Sequence, residues 1–379
     1  MGKKIIRVSK SNISKKEVVA VSKVVSLGNL GMGPVVEKFE KKLKKIFKRR
    51  VVCLNSGTAA LHLALQACGI GYGDEVLVPS ITYVASFQAI TATGAKPIIC
   101  DINEHDLLIS INDAKNRITK KTKAIMPVYF SGHVGDIENI YKFAKINKIR
   151  VVEDAAHAFG STYRGKKIGS FGDITCFSFD GIKTITTGEG GCVISNDNKI
   201  IKKVQDARLL GVERDSAKRI LGQRSWSFDV KEQGWRYHMS DINASIGIEQ
   251  LFRFKILSIK RKKICKFYDK ILYENSKISF FSRNYINEVP HIYVVRIKNL
   301  KNRRKLRSDL VDAGIETGVH YFPNYKLTKF KEKNQKKFKN TEKVYREILT
   351  LPLHPDIKKN DQIYIVKTIS KLLKDRKYF

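Results

Sequence analysis

The sequence predicts an α/β fold, with a large domain around a mostly parallel seven-stranded sheet and a smaller C-terminal α+β domain. Three observations carry this expectation. Short apolar runs alternate with segments of helical period through about the first 240 residues. Several of those runs are β-branched and apolar without alternation, as strands covered on both faces are. Beyond them the alternation stops and one long helical run begins.

Two amphipathic helices are expected first. In the second, Val36, Phe39, Leu43 and Ile46 recur at helical spacing, which turns the lysines of EKFEKKLKKIFKRR to water. The strand candidates are RRVVCLN, DEVLVPS, KPIICDI, TKAIMPVYF, IRVVEDA, ITCFSF and GCVISND, and helical stretches such as TAALHLALQAC, TYVASFQAITATG and DIENIYKFAKINK separate them. SDINASIGIEQLFRFKILSIKRKKICKFYDKIL reads as one long helix. An isolated strand-like HIYVVRI, a Gly-stopped helix in KNRRKLRSDLVDAGIET and a last helix after LPLHP complete the pattern. The expected division is a large domain over 1–245 and a small one over 246–379, within the usual range of domain sizes.

Charge is the extreme feature: 72 Lys plus Arg against 36 Asp plus Glu, a net +36. A nucleic-acid patch would gather it on one arm or stripe. Here the basic residues are dispersed through EKFEKKLKKIFKRR, NRITKKTK, SIKRKKICKF and FKEKNQKKFK, so solvated helix faces are expected and no nucleic-acid partner. The remaining positive field suits a small polyanion such as a nucleotide diphosphate. A non-catalytic basic protein that binds nucleic acid stands as the alternative, and it predicts affinity falling steeply with salt. No apolar run reaches the length of a membrane span, and MGKKIIRVSK leads into no apolar stretch. Six cysteines show neither CxxC pairing nor a histidine at metal spacing. Buried free thiols, a cytoplasmic location and no metal are expected.

The chemistry sits at the carboxyl ends of the strands, where ligands collect in such sheets. In RVVEDAAHAFGS a strand delivers Glu153 and Asp154 to a loop, and alternation lets only one of them face a cleft. Alone, Asp154 reads as a helix cap. Lys183, in FDGIKTITTGEGG after the next strand, changes that reading, because both residues can reach one cleft. A lysine beside an aspartate is what pyridoxal phosphate requires. The amine condenses with the aldehyde once deprotonated, and the carboxylate keeps the ring nitrogen protonated so that the ring accepts electrons. NSGTAALHLAL supplies a phosphate anchor: Ser56, Gly57 and Thr58 open a helix whose free N–H groups suit an oxyanion, and Ser178 adds a hydroxyl. The small residues of TTGEGG let the backbone turn tightly around Lys183. A hairpin with an exposed lysine fits those glycines too, but leaves Asp154 and NSGT as coincidences.

GNLGMGPVVEKFE, LNSGTAALHLAL, VPSITYVAS, VEDAAHAFGS, FSFDGIKTITTGEGG, GWRYHMSDINASIG, GIETGVHYFP and LPLHP occur in one order over nearly the whole chain. Together they resemble the DegT/DnrJ/EryC1/StrS aminotransferases, the sugar-nucleotide branch of the fold-type I pyridoxal phosphate enzymes. The resemblance implies that fold and cofactor, with Lys183 as the catalytic residue. It also implies that Tyr83 stacks on the pyridine, that His157 lies beside the phenolic oxygen, and that His320 and Tyr321 line the substrate side. A homodimer with active sites at the interface is implied, GWRYHM reaching the partner's phosphate. Many members read G-Y-N-Y-R-M there, with Asn where this chain has Arg236 and Arg where it has His238; Arg236 binds a phosphate more strongly than an amide does, and the swap leaves both residues as candidates for that contact. The implied donor is L-glutamate. The unbroken KTITTGEGG resembles members that aminate C4 of nucleotide-linked 4-keto-6-deoxy sugars, for surface polysaccharide or glycoconjugate synthesis. A 3-keto sugar nucleotide, a cyclitol ketone or an aminobenzoate precursor are the alternative acceptors. Lys183 argues against the dehydratase branch, which carries His there.

Overall fold

The structure, a computed structural model, describes residues 5–212, 228–331 and 338–379. Most of FKEKNQKKFK and the first four residues lie outside the described residues. Helices α1 (Lys15–Ser26) and α2 (Pro34–Phe47) precede β1 (Arg50–Leu54), α3 (Gly57–Ala67), β2 (Glu75–Pro79), α4 (Val84–Ala92) and β3 (Lys96–Cys100). Then come α5 (Ile111–Lys115), β4 (Thr122–Ile125), α6 (Ile137–Ile146) and β5 (Arg150–Asp154). A short ribbon, β6 (Thr162–Tyr163) with β7 (Lys166–Lys167), leads to β8 (Ile174–Ser178), β9 (Gly191–Ser195) and α7 (Asn198–Ala207).

All seven expected strands form one sheet in the order β1-β9-β8-β5-β4-β2-β3. Pairing is parallel from β8 through to β3, and only β9 runs against its neighbours. Alternate residues of one strand enter different cores, as a sheet covered on both faces requires. Val52 and Leu54 of β1 pack with Leu63 of α3 and Phe87 of α4. Val51 and Cys53 pack with Phe39, Leu43 and Phe47 of α2. The lysines between those α2 residues, Lys41, Lys44 and Lys45, are exposed. All six cysteines are free thiols, five of them buried and Cys68 half-buried.

The long helix Asp241–Leu272 begins inside the first unit, where Ala244 and Ile248 join the α2 core. At about 1.5 Å per residue its 32 residues span roughly 48 Å, and Ile264, Cys265, Tyr268 and Leu272 lie in a separate core. The expected division at 245/246 falls within its first two turns. The second core packs against a three-stranded antiparallel sheet, β10 (Ile278–Phe280), β11 (Tyr293–Ile297) and β12 (Ile348–Leu351), in which β11 is central. HIYVVRI is therefore not isolated: its partners are two short strands, β10, which ends at Phe280, and β12, which begins only at Ile348. Residues 6–8 also join this unit, through Ile6 N–H to the Gly314 carbonyl (2.8 Å) and Leu353 N–H to the Val8 carbonyl (3.0 Å). No helix among the described residues is long and apolar enough to cross a membrane.

Candidate active site

A cavity of about 410 Å³ opens beside the carboxyl ends of β5 and β8. Parallel pairing sets Asp154, the last residue of β5, opposite Cys176, two residues before the end of β8. The strand period then separates the two acids of RVVEDA, as the sequence requires. Glu153 faces the other way and accepts from the hydroxyls of Tyr129 (2.8 Å), Tyr141 (2.6 Å) and Thr175 (2.5 Å). Asp154 lines the cavity, where its Oδ2 accepts from Ser86 Oγ (2.7 Å) and its Oδ1 from the Ala156 N–H (3.2 Å). Burial pushes the Asp154 carboxyl up, against the opposing effects of those hydrogen bonds and of the Lys183 charge.

Lys183 lines the same cavity from the loop between β8 and β9. Burial holds its amine below the ordinary lysine range, although Asp180 and Asp154 oppose the shift. Desolvation thus favours the neutral, nucleophilic amine. The loop is tied on several sides: Lys183 N–H to the Asp180 carbonyl (3.0 Å), Ser11 Oγ to the Gly181 carbonyl (2.5 Å), and Asn243 Nδ2 to the Thr187 carbonyl (2.7 Å).

The third wall is the start of α3. Ser56 is its N-cap, the hydroxyl accepting from the Ala59 N–H at 3.0 Å. The N–H groups of Gly57 and Thr58 belong to the first turn, which has no intrahelical acceptors to offer them. Glycine at 57 is a matter of space. A Cβ there would stand 2.7 Å from Ser178 Cβ and 3.0 Å from its Oγ. At Gly191 a Cβ would stand 2.5 Å from the Ser56 carbonyl oxygen. The final glycine of TTGEGG thus lets β9 run against the backbone of the α3 N-terminus.

Tyr83 is the residue before α4; it is 60% exposed and its ring forms part of the cavity wall, 5.9 Å between centroids from Tyr321. An aromatic at a helix start is usually packing, and this one is not. His157 accepts at Nδ1 from the Ser131 N–H (3.1 Å), and its Nε2 lies 2.9 Å from Tyr321 Oη. His320 pairs through Nδ1 with Thr350 Oγ1 at 2.8 Å, and burial, with Lys183 and Arg307 nearby, pushes its imidazole down to about 4. His320 and Tyr321 both line the cavity, although they arrive from the segment before β12.

Every predicted site residue thus borders one cavity except Arg236. Arg236 is exposed, on a segment that bridges to Leu209. Sequence reasoning did not find Ser86, Ser131, Asp180 or Glu189. The first two act as hydrogen-bond partners of Asp154 and His157, and nothing in the local pattern marks them. Asp180 and Glu189 flank Lys183 within the motif itself and line the cavity. Burial and then the Asp180 charge push the Glu189 carboxyl up.

Comparison with known proteins places this site in a family. The model of the DegT/DnrJ/EryC1/StrS aminotransferase family matches residues 11–370. The chain is similar to the GDP-perosamine synthase of Escherichia coli O157:H7, with 37% identity over 91% of this chain and 92% of that one. It is also similar to a putative sugar aminotransferase from Streptococcus pneumoniae, solved in PLP- and PMP-forms. Each form has TM-score 0.90 at 31% identity, covering 98% of this chain and 98% or 99% of that one. An aminotransferase of Helicobacter pylori involved in the biosynthesis of pseudoaminic acid superposes with TM-score 0.89 at 25% identity, covering 98% of this chain and 100% of that one. The chain belongs to the DegT/DnrJ/EryC1/StrS aminotransferase family, has the fold of type I pyridoxal phosphate enzymes, and depends on pyridoxal phosphate.

Proposed function

We propose that this family member is a sugar aminotransferase that moves an amino group from L-glutamate to C4 of a nucleotide-linked 4-keto-6-deoxy sugar. The step would serve surface polysaccharide or glycoconjugate synthesis and take place in the cytoplasm. The observation that carries the reading is the convergence of an amine, a carboxylate and an open helix N-terminus on one cavity. The likeness to sugar aminotransferases supports the acceptor class.

The residues present fit the cofactor. Ser56, Gly57, Thr58 and Ser178 would hold its phosphate, in a cradle whose width is set by the absence of a Cβ at 57. Asp154 would hold the proton on the ring nitrogen; Ser86 and Ala156 fix the carboxylate in place for this. Tyr83 would stack on the ring, and His157 would stand on its phenolic-oxygen side. When bound, pyridoxal phosphate supplies an aldehyde that exchanges nitrogen and a ring that withdraws electrons. Lys183 would anchor it covalently, and its Nζ, once released, takes a proton from the donor's α-carbon. The same Nζ later returns a proton to the sugar carbon that has gained nitrogen. Burial suits it to both tasks, since a base works best with a proton affinity near the operating pH.

We further propose a homodimer in which Arg236 reaches the partner's phosphate, in keeping with its exposure outside its own cavity, and a domain division near 245/246. Steady-state assays with L-glutamate and either 4-keto or 3-keto sugar nucleotides test the reading. An aminated product from the 4-keto substrate is expected. Product from the 3-keto substrate alone would move the acceptor to C3, and no amine from any keto-sugar nucleotide would remove the sugar reading.

A further inference from the structure

Two hydrogen bonds fix the direction of a third. The backbone N–H of Ser131 donates to His157 Nδ1, so that nitrogen carries no proton. Ser131 is itself clamped. Its Oγ donates to the Ile292 carbonyl at 2.5 Å, and Arg283 donates to that Oγ at 2.6 Å. Its φ of 59° lies in the left-handed region, which a serine rarely adopts, and aims its N–H at the imidazole. Burial keeps the His157 ring neutral, and the neighbouring Lys183 and His320 act in the same direction. The one ring proton therefore sits on Nε2 and is donated to Tyr321 Oη, 2.9 Å away. The phenol's own proton must point elsewhere. Tyr321 lines the cavity, and among the described residues its hydroxyl makes no other hydrogen bond. Burial pushes the phenol up, so it keeps that proton.

We propose that Tyr321 is a directed hydrogen-bond donor to the ketone oxygen at the reacting carbon, and that Ser131 and His157 are its positioning residues. The proposal rests on the aminotransferase reading. Negative charge gathers on that oxygen when nitrogen adds to the acceptor's carbonyl carbon. That oxygen takes up the nitrogen's two protons and leaves as water; in the donor half-reaction the reverse step, addition of water, would set the 2-oxo acid's oxygen at the same point. A donor already aimed at such an oxygen is worth roughly 10²-fold or more in rate.

The test uses the holoenzyme and follows each half-reaction by the cofactor's absorbance, with L-glutamate in one and a 4-keto sugar nucleotide in the other. Tyr321→Phe is expected to slow both about 100-fold, leaving cofactor affinity and the resting absorbance band unchanged. His157→Gln can accept from Ser131 on its oxygen and donate to Tyr321 from its nitrogen, so it should keep more of the rate than His157→Leu. In ¹⁵N-histidine-labelled protein the His157 proton should reside on Nε2 before any substrate is added. A proton on Nδ1 overturns the proposal, as does a Tyr321→Phe rate within about threefold of wild type, a factor too small for a lost transition-state donor. Loss of the cofactor band in Tyr321→Phe would instead make Tyr321 part of the cofactor's scaffold and also overturn it. If wild-type enzyme reacts with L-glutamate but with no keto-sugar nucleotide, the sugar reading fails. The glutamate half-reaction and the tautomer still decide the role of Tyr321.

Discussion

Replacing Gly57 by alanine probes the phosphate cradle with a sign that can go either way. Gly57 is the first residue of α3 and its φ is not in the left-handed region, so an alanine backbone is allowed there. Judged by backbone alone, Gly→Ala should stabilise by about 0.4–1 kcal/mol, because it restricts the unfolded chain. The packing opposes this. The new Cβ would stand 2.7 Å from Ser178 Cβ, whereas carbon atoms rest at about 3.5–4.0 Å. Ser178 Cβ is fixed to the β8 backbone and cannot swing away, so α3 and β8 must separate by about 1 Å. Overpacking of that kind costs about 1–3 kcal/mol. The clash outweighs the gain, and a net loss of about 1–2 kcal/mol is expected. The displaced N–H groups should also weaken the hold on the cofactor's phosphate. Thermal or denaturant unfolding of the apoprotein and equilibrium titration with pyridoxal phosphate measure both effects. Adding Ser178→Gly removes the nearest atoms and should recover part of the stability. A Gly57→Ala protein more stable than wild type, with unchanged cofactor affinity, would refute the reasoning.

If Arg236 serves the partner's site, Lys183→Ala and Arg236→Ala homodimers, each impaired alone, should regain activity when mixed and exchanged, because one site of each hybrid is intact; no recovery in a verified hybrid would count against the shared site. Asp241 accepts from the N–H groups of Gly33 (3.0 Å), Val35 (3.2 Å) and Val36 (2.9 Å) at the start of α2. Asp241→Ala should therefore cost about 2 kcal/mol in denaturant unfolding, and an unchanged midpoint would contradict the capping role. Because the folded state lowers the His320 imidazole to about 4, the unfolded chain binds more protons between roughly pH 6.5 and 4. Apoprotein stability should fall as pH drops through that window, and His320→Gln should reduce the slope by up to about 1.4 kcal/mol per pH unit. An identical slope in the variant would show that His320 titrates normally.

The seven-stranded sheet was legible because its strands are covered on both faces and so read as unbroken apolar runs. RVVCL and GCVIS need no partner to be recognised. The second sheet was legible only at its centre. Tyr293–Ile297 carries a strong signal, but β10 is three residues long and β12 four, and runs that short show no local periodicity. The bonds of Ile6 to Gly314 and Glu316 and of Val8 to the Leu353 N–H are backbone contacts that almost any side chain would permit. Within the site, residues that need a particular chemistry were found: an amine at 183, an acid at 154 and small residues at 56–58. Residues that only orient them were not. Ser86 and Ser131 are single hydroxyl-bearing positions on a helix and a turn, and their meaning comes from what the fold brings opposite. Tyr83 and Tyr321 are intermediate cases. An aromatic side chain carries no label that separates a core position from a cavity wall, so their places came from family resemblance alone.

The central claim is that Lys183 holds the cofactor in a cavity it shares with Asp154. Borohydride reduction of the resting holoenzyme, followed by peptide mass spectrometry, tests this most directly. The cofactor's mass is expected on the peptide carrying Lys183, with no reduced adduct and no long-wavelength absorbance band in Lys183→Ala. An adduct on any other lysine of the wild-type chain, or an undiminished band in the variant, would contradict it.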